Sequence, residues 1–158
     1  MKRDDVSFVV EGQPRAMPRS RNARSGHRYT PKWAVDYQNA IGWAYKAAGG
    51  LPEPYDGPVL IEMTAYFPIP KSWPIARRTL VGRQKDEFTA YPYVAKGRSD
   101  ADNLAKMVMD ALNGLAYEDD GQVWNLSVSR ERDARPRLEV FVMFMDMHVL
   151  DAEQGATQ

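Results

Sequence analysis

Cysteine is absent from the sequence, which excludes disulfide bonds and thiolate metal sites and is consistent with a reducing cytoplasm. Histidine is scarce, and His27 and His148 lie too far apart in the sequence to predict a histidine-based zinc site. No apolar run approaches the roughly 20 residues that a membrane-spanning helix needs. The N-terminus also lacks the apolar stretch of a signal peptide. These absences predict a cytoplasmic protein that does not use a membrane.

The composition is typical of a globular domain. The chain has 158 residues, of which 44% are hydrophobic, and this length suits a single core. We therefore expect one domain over residues 1–150, followed by a flexible tail over residues 151–158.

Apolar periodicity predicts four strands and two long helices. The strands are expected at residues 6–10, 59–67, 123–130 and 138–144. The last of them is apolar almost throughout, which predicts a central position in the sheet. The first helix is expected from Pro31 to about Ala48, with Thr30 as its N-cap. The second is expected from about Asp102 to Asn113. The predicted fold class is α+β, a single domain with the order β-α-β-(long loop)-α-β-β and a mixed sheet with helices packed on it.

Each predicted helix has an apolar stripe that should face the sheet. The stripe of the first helix is Val35, Ala40, Ile41, Ala44, Tyr45 and Ala48. The stripe of the second is Leu104, Met107, Val108, Ala111, Leu112 and Leu115.

The net charge is zero, but the charges are unevenly distributed. Between Gly12 and Val35 there are six basic residues and no acidic one, and between Pro68 and Ser99 there are seven basic residues against two acidic ones. The acidic residues gather instead at residues 100–120. Basic segments on either side of an acidic centre suit a polyanion held at its phosphates around a metal ion. The alternative is that both segments are solvated loops, and the charge pattern alone does not decide.

Asp100 and Asp102 stand at the start of the second helix. Alternate residues of an extended lead-in point the same way, so both carboxylates could reach one metal ion. Mg²⁺ prefers oxygen ligands and usually keeps several waters, so two or three carboxylates suffice if the substrate phosphate supplies a further ligand. Lys106, one turn after Asp102, could hold the scissile phosphate or the attacking water. The structural alternatives are an N-cap role for Asp102 and an ordinary i,i+4 ion pair between Asp102 and Lys106.

A second acidic cluster, Glu118-Asp119-Asp120, follows the second helix. To join the first pair, the chain must return along the helix and present one acid near its start. Three adjacent acids are usually a solvated turn, but repulsion among acids before a buried strand is also what a bound cation relieves. These residues alone do not decide which of the three would be the ligand.

Three motifs in this region carry a family resemblance. They are Asp-Ala-Asp-Asn-Leu-Ala-Lys from residue 100, Asp-Ala-Leu-Asn-Gly from residue 110 and Tyr-Glu-Asp-Asp-Gly-Gln-Val from residue 117. Together they resemble the signature of RusA-type Holliday junction resolvases, which are common in phages and prophages. The Arg-rich segment from residue 21 to residue 31 is similar to the family's basic lead-in, and Pro70-Lys71-Ser72-Trp73 resembles a motif of phage members. The resemblance runs from about residue 8 to residue 144.

The resemblance implies a homodimeric, Mg²⁺-dependent endodeoxyribonuclease, with Mn²⁺ expected to substitute. Such an enzyme resolves four-way DNA junctions by symmetric phosphodiester hydrolysis in DNA recombination and repair, here in a bacterial or phage-infected cell. Two other nucleic-acid functions stay open: a metal-dependent nuclease acting on flaps or forks, and a catalytically silent junction-binding protein. A plain α+β domain whose acids are caps and turns is a further alternative.

The resemblance also assigns the site residue by residue. The implied metal ligands are Asp100, Asp102 and Asp120, with Lys106 as a further catalytic residue and Asp119 as an additional candidate acid. The predicted DNA-binding residues are Arg15, Arg19, Arg21, Arg24, Arg28, Lys71, Arg77, Arg78, Lys96 and Arg98. One departure is Arg98-Ser99, where many members have Lys-Pro, and it leaves the geometry of the loop before Asp100 open.

Overall fold

Four strands and two long helices follow one another in the predicted order. The structure, a computed structural model, describes residues 4–18, 26, 29–78 and 99–146. Its elements are β1 (Val6–Glu11), α1 (Lys32–Ala47), β2 (Val59–Pro68), α2 (Ala101–Leu112), a 3₁₀ turn (Asp120–Gln122), β3 (Val123–Asp133) and β4 (Arg137–Phe144). The tail predicted for residues 151–158 and most of the long loop lie outside the described residues. No helix in the described ranges is long and apolar enough to span a membrane.

The four strands form one mixed sheet in the order β1-β4-β2-β3. β4 is antiparallel to both of its neighbours, which confirms its predicted central position. β2 and β3 are parallel, and a parallel pair needs a long crossover, which here contains α2. The predicted α+β class with a mixed sheet is therefore confirmed.

The strand register determines which loops lie together. Arg137, at the start of β4, is paired with Glu11 at the end of β1 and with Tyr66 near the end of β2. Pro68 is paired with Asp133 at the end of β3. The carboxyl ends of β1, β2 and β3 therefore lie at one end of the sheet, which we call the loop end. Both basic segments of the sequence leave the sheet at this end.

The core lies between the two helices and one face of the sheet. Buried and more exposed residues alternate along β1, β2 and β4, so only one face of these strands is covered. In α2 the predicted stripe is confirmed, because Leu104, Met107, Val108 and Leu112 are buried. The same stripe turns the opposite side of α2, with Asp102 and Lys106, to solvent.

The predicted stripe of α1 is only partly right. Ile41 and Tyr45 are buried as expected, but Val35 is 40% exposed and Ala34 is buried in its place. Ala40 and Ala48 are exposed as well. Apolar residues occur on both sides of this helix, so its periodicity alone does not select the covered face.

The start of α1 also differs from the prediction. Pro31, not Thr30, occupies the N-cap position, and no side chain caps the helix. At the start of the helix, Lys32 Nζ lies 2.7 Å from Asp36 Oδ2, one turn further on, in an exposed ion pair. The difference is one residue, which is the usual uncertainty of a helix boundary.

Candidate functional site

Two hydrogen bonds place the start of α2 at the loop end of the sheet. The backbone N–H of Met17, in the segment after β1, donates to the carbonyl of Asn103 at 2.9 Å. Arg130 on β3 donates from Nη1 to the carbonyl of Ser99 at 3.1 Å. Ser99 itself has a φ of 50°, in the left-handed region that few non-glycine residues adopt. The start of α2 therefore lies beside the points where the basic segments leave the sheet.

The first turn of α2 carries two of the predicted metal ligands. Asp100 occupies the N-cap position with φ −58° and ψ 147°, yet its side chain makes no capping hydrogen bond. Asp102 is exposed in the first turn, and its carboxylate has no hydrogen bond or ion pair with the described residues. An aspartate that caps a helix accepts a hydrogen bond from the backbone N–H two or three residues on. Capping therefore does not explain either carboxylate.

Lys106 lies on the exposed side of α2, one turn after Asp102. Its Nζ is 3.4 Å from Asp110 Oδ2, so the ion pair runs toward the end of the helix and not back to Asp102. The Lys106 side chain is 60% exposed, and a solvent-screened pair of this kind contributes roughly 0–1 kcal/mol. The ammonium group can therefore exchange Asp110 for a phosphate at little cost.

The 3₁₀ turn before β3 gives Asp119 and Asp120 different surroundings. Asp119 Oδ1 accepts from the N–H of Gly121 at 2.7 Å, and the N–H of Asp119 donates to Gln122 Oε1 at 2.8 Å. A Cβ on residue 121 would lie 2.9 Å from Asp119 Oδ1, which favours glycine there. Asp120 is exposed, and its carboxylate makes no hydrogen bond or ion pair with the part of the chain described. The Asp119 side chain therefore stabilises the turn through a hydrogen bond, whereas the Asp120 side chain does not.

Gln122 and Tyr117 fix this turn to the rest of the fold. Gln122 Nε2 donates to the carbonyls of Tyr55 and Gly57, each at 2.8 Å. The Tyr117 hydroxyl donates to the carbonyl of Met109 at 2.9 Å. The turn is therefore attached both to the segment that enters β2 and to the second half of α2.

Asp120 consequently lies toward the second half of α2. Burial raises the pKa of the Tyr117 phenol, and the nearby carboxylates of Asp120 and Asp110 raise that pKa further. No three acidic or histidine side chains within the described ranges are grouped so that they could hold a metal ion. The structure thus places Asp100 and Asp102 at the same helix start, but it does not gather Asp120 with them.

The structure describes four of the predicted DNA-binding residues, Arg15, Lys71, Arg77 and Arg78. The Arg15 guanidinium lies 4.2 Å from the centre of the Trp33 ring, and that of Arg77 lies 3.9 Å from the centre of the Trp73 ring. Stacking on a tryptophan face restrains a guanidinium in a defined place. All four residues follow β1 or β2 at the loop end. The predicted residues outside the described ranges are Arg19, Arg21, Arg24, Arg28, Lys96 and Arg98.

Comparison with known proteins establishes the family. Residues 11–143 match the family model described as Endodeoxyribonuclease RusA. This chain belongs to the RusA family. A relative, the uncharacterized protein YqaN of Bacillus subtilis (strain 168), is 34% identical over 143 residues, which cover 88% of this chain and 96% of YqaN. The RusA match includes both basic segments, the start of α2 and the turn before β3.

Membership of the RusA family raises the question of whether the residues present fit Mg²⁺. Asp100 and Asp102 supply hard carboxylate oxygens, and neither carboxylate caps the helix. A Mg²⁺ site commonly uses one or two carboxylates and completes its coordination with water and substrate phosphates. The donor chemistry at the start of α2 therefore fits the ion as a two-carboxylate site.

Sequence reasoning missed Arg130 and Gln122, which hold the two acidic segments of this RusA-family chain in place. The available signal for Arg130 was a long basic side chain on the helix-facing side of a strand, in line with Val128. Ser99 also differs from the Lys-Pro of many family members in a way that matters. Proline is restricted to a φ near −65°, so it could not adopt the φ of 50° found at this position.

Proposed function

We propose that this chain is a Mg²⁺-dependent, structure-specific endodeoxyribonuclease that cuts four-way DNA junctions during recombination and repair in a bacterial or phage-infected cell. One observation carries the proposal: the carboxylate pair at the start of α2, with Asp102 exposed and Asp100 half-buried, lies at the loop end, where both basic segments begin. In a chain of the RusA family this arrangement suits a phosphodiester backbone gripped on both sides of an acidic centre.

Each acidic and basic residue has a proposed role. Asp100 and Asp102 hold the metal ion. Asp120 is proposed as a third ligand on the family resemblance and on its unused carboxylate, although within one chain it lies toward the second half of α2. Bound Mg²⁺ would polarise the scissile phosphate and lower the pKa of a water molecule. Lys106 offsets negative charge that develops on the phosphate. The positive end of the α2 dipole lies at the same place and favours the bound anion.

The sheet face that the helices leave uncovered carries acidic side chains, and this supports DNA binding at the loop end instead of on that face. A shallow concavity of about 410 Å³ on that face is lined by Glu62 and Glu139 together with Ser7, Ser127 and Ser129. Carboxylates repel phosphates, so this face is a poor surface for a DNA backbone. We assign the neutralisation of phosphates to the basic residues of the loop end, with Arg15 and Arg77 stacked on tryptophans there.

A homodimer is part of the proposal. A four-way junction is symmetric and needs two cuts, and a two-fold protein presents two equivalent sites to it. The exposed large apolar side chains of the described residues include two tryptophans, Trp43 at 76% and Trp124 at 56%. Exposed aromatic surface of this kind supports an interface with a second copy.

Cleavage of a synthetic four-way junction, compared with a linear duplex of the same sequence, tests the function. The wild type is assayed with Mg²⁺ and with chelator, beside Asp102→Asn. The matched control is Asp36→Asn, an exposed helical aspartate on α1 that pairs with Lys32 and has no proposed role in metal binding. We expect symmetric nicks near the crossover with Mg²⁺ in the wild type and the control, and none with chelator or in Asp102→Asn.

Two other outcomes would redirect the proposal. Tight junction binding without cutting under any condition would indicate a silent binding protein. Equal cutting of junction and duplex, or preferential cutting of flaps or forks, would retain the metal site but remove the junction specificity.

A further inference from the structure

The residue directly before the acidic pair has an unusual backbone conformation. Ser99, with a φ of 50°, is a non-glycine residue in the left-handed region, where its Cβ crowds the following carbonyl oxygen. Such a conformation persists only when its surroundings hold it in place. The next residue, Asp100, returns to a φ of −58° and is the N-cap of α2. The conformation of Ser99 therefore sets the direction from which the chain enters the helix.

Arg130 supplies a restraint from outside the loop. Its Nη1 donates to the Ser99 carbonyl at 3.1 Å across 31 residues of sequence. Arg130 lies within β3, where it is paired with Ala65 of β2, so the backbone that carries the guanidinium is held by the sheet. A guanidinium has a planar, rigid set of donors and is always charged, which makes it an effective anchor for a carbonyl oxygen.

A second contact holds the other side of the helix start. The N–H of Met17 donates to the carbonyl of Asn103, within the first turn of α2. Met17 holds the first turn of α2 at Asn103, and Arg130 holds the chain at Ser99. Asp100 and Asp102 both lie between these two restrained residues. Contacts from β3 and from the segment after β1 thus hold the backbone on both sides of Asp100 and Asp102.

We propose that Arg130 is a positioning residue for the Asp100 and Asp102 carboxylates, acting by holding Ser99 in its left-handed conformation. The proposal rests on the proposed function, because it concerns the same metal site. Without Arg130, Ser99 relaxes to an ordinary negative φ, and the chain enters α2 from another direction. Metal affinity and the rate of cutting then fall, whereas the affinity of the basic segments for DNA changes much less.

The experiment combines Arg130→Ala with Ser99→Gly. Glycine adopts a φ of 50° without strain, so residue 99 would depend less on the hydrogen bond from Arg130 to hold this conformation. We expect Arg130→Ala to weaken Mn²⁺ binding by the protein alone, followed by electron paramagnetic resonance, and to slow junction cutting, each by roughly 10- to 100-fold. Junction affinity without metal should stay within about threefold of the wild type. The double variant should recover most of both losses, and Ser99→Gly alone should resemble the wild type.

Arg132→Ala is the matched control. Arg132 is two residues further along β3 and donates to a different backbone carbonyl, that of Pro68 at 2.7 Å. Its loss removes an arginine and a carbonyl bond from the same strand. We expect Mn²⁺ affinity in this variant to stay at the wild-type level, with no response to added Ser99→Gly.

The remaining outcomes overturn the proposal in distinguishable ways. If Arg130→Ala binds Mn²⁺ and cuts like the wild type, the positioning role is wrong while the proposed function stands. If the double variant is folded but as defective as Arg130→Ala, Arg130 acts through its own charge and not through Ser99. If the wild type neither binds Mn²⁺ nor cuts junctions, the proposed function fails and the positioning role fails with it.

Discussion

At the scale of single residues, the neighbours Asp119 and Asp120 are separated by what each carboxylate contacts. The Asp119 carboxylate accepts a hydrogen bond within the turn, and asparagine can replace aspartate in such a cap. Alanine cannot accept the bond. The two substitutions therefore distinguish a structural carboxylate from one that needs its charge.

We predict that Asp119→Asn keeps both stability and junction cutting, whereas Asp119→Ala lowers the free energy of unfolding by about 1 kcal/mol because the cap is lost. Asp120→Asn should abolish cutting and leave stability within about 0.5 kcal/mol of the wild type, since its carboxylate makes no hydrogen bond or ion pair with the described part of the fold. Urea unfolding and a junction-cleavage assay measure both properties on the same samples. Loss of cutting in Asp119→Asn, with cutting retained in Asp120→Asn, would assign the ligand to Asp119 instead.

At the scale of elements, Gln122 joins the turn before β3 to the segment that enters β2. Its amide is used on both sides: Nε2 donates to two carbonyls, those of Tyr55 and Gly57, and Oε1 accepts from Asp119. Replacing the amide by a carboxylate keeps the shape but turns two donors into acceptors. The two carbonyls would then face a negative oxygen.

We predict that Gln122→Glu lowers the free energy of unfolding by about 2 kcal/mol, because two hydrogen bonds are lost and two partly buried carbonyls lose a partner. The control is Gln38→Glu on α1, whose side chain makes no hydrogen bond to a described residue; we expect a change within about 0.5 kcal/mol. Urea unfolding midpoints at neutral pH decide the question. An equal effect of the two substitutions would mean that Gln122 does not fasten the turn.

The elements also show how far the sequence predicts this fold. The strands and both helices could be located because their apolar periods are regular, and α2 shows one clean stripe that leaves Asp102 and Lys106 exposed. The covered face of α1 was predicted only in part: Ile41 and Tyr45 are buried, but Val35 is 40% exposed, because both sides of this helix carry apolar residues. Helix boundaries differ by one residue, as at Thr30 and Pro31.

The candidate site was predictable only in part, for a similar reason. Spacing and the family motif indicated Asp100 and Asp102, and their placement at one helix start depends on local sequence alone. Arg130 and Gln122 act across 31 and 65 or more residues of chain, so only the fold reveals them. The position of Asp120 likewise depends on how the turn is fastened, and its role as a third ligand stays a prediction.

At the scale of the whole molecule, buried tyrosines make stability depend on alkaline pH. Burial raises the pKa of Tyr37 to about 12, and burial also raises the pKa of Tyr117 and of Tyr45. In the unfolded chain a tyrosine titrates near pH 10. Above that pH the unfolded state binds fewer protons than the folded state, so stability falls as pH rises. Below about pH 10 these tyrosines contribute no pH dependence.

We predict that the urea midpoint is constant between about pH 7 and pH 9 and falls between about pH 10 and pH 12. Tyr37→Phe should make that fall shallower, because one raised pKa is removed. The control is Tyr29→Phe, since Tyr29 is 69% exposed and its substitution should leave the slope unchanged. A slope in Tyr37→Phe equal to that of the wild type would show that Tyr37 does not titrate with unfolding.

The proposed dimer makes a prediction about how two strands of one junction are cut. Each protomer has one Asp100–Asp102 pair, so a single protomer can cut only one of the two symmetric phosphates at a time. Mixing wild type with an excess of Asp102→Asn should therefore give heterodimers with one competent site. On a supercoiled plasmid that extrudes a cruciform, the wild type should release linear DNA and the mixture should release nicked circles. Wild type mixed with Asp36→Asn should still give linear DNA. If the Asp102→Asn mixture instead gives linear product in proportion to the wild-type fraction, the two cuts do not come from paired protomers.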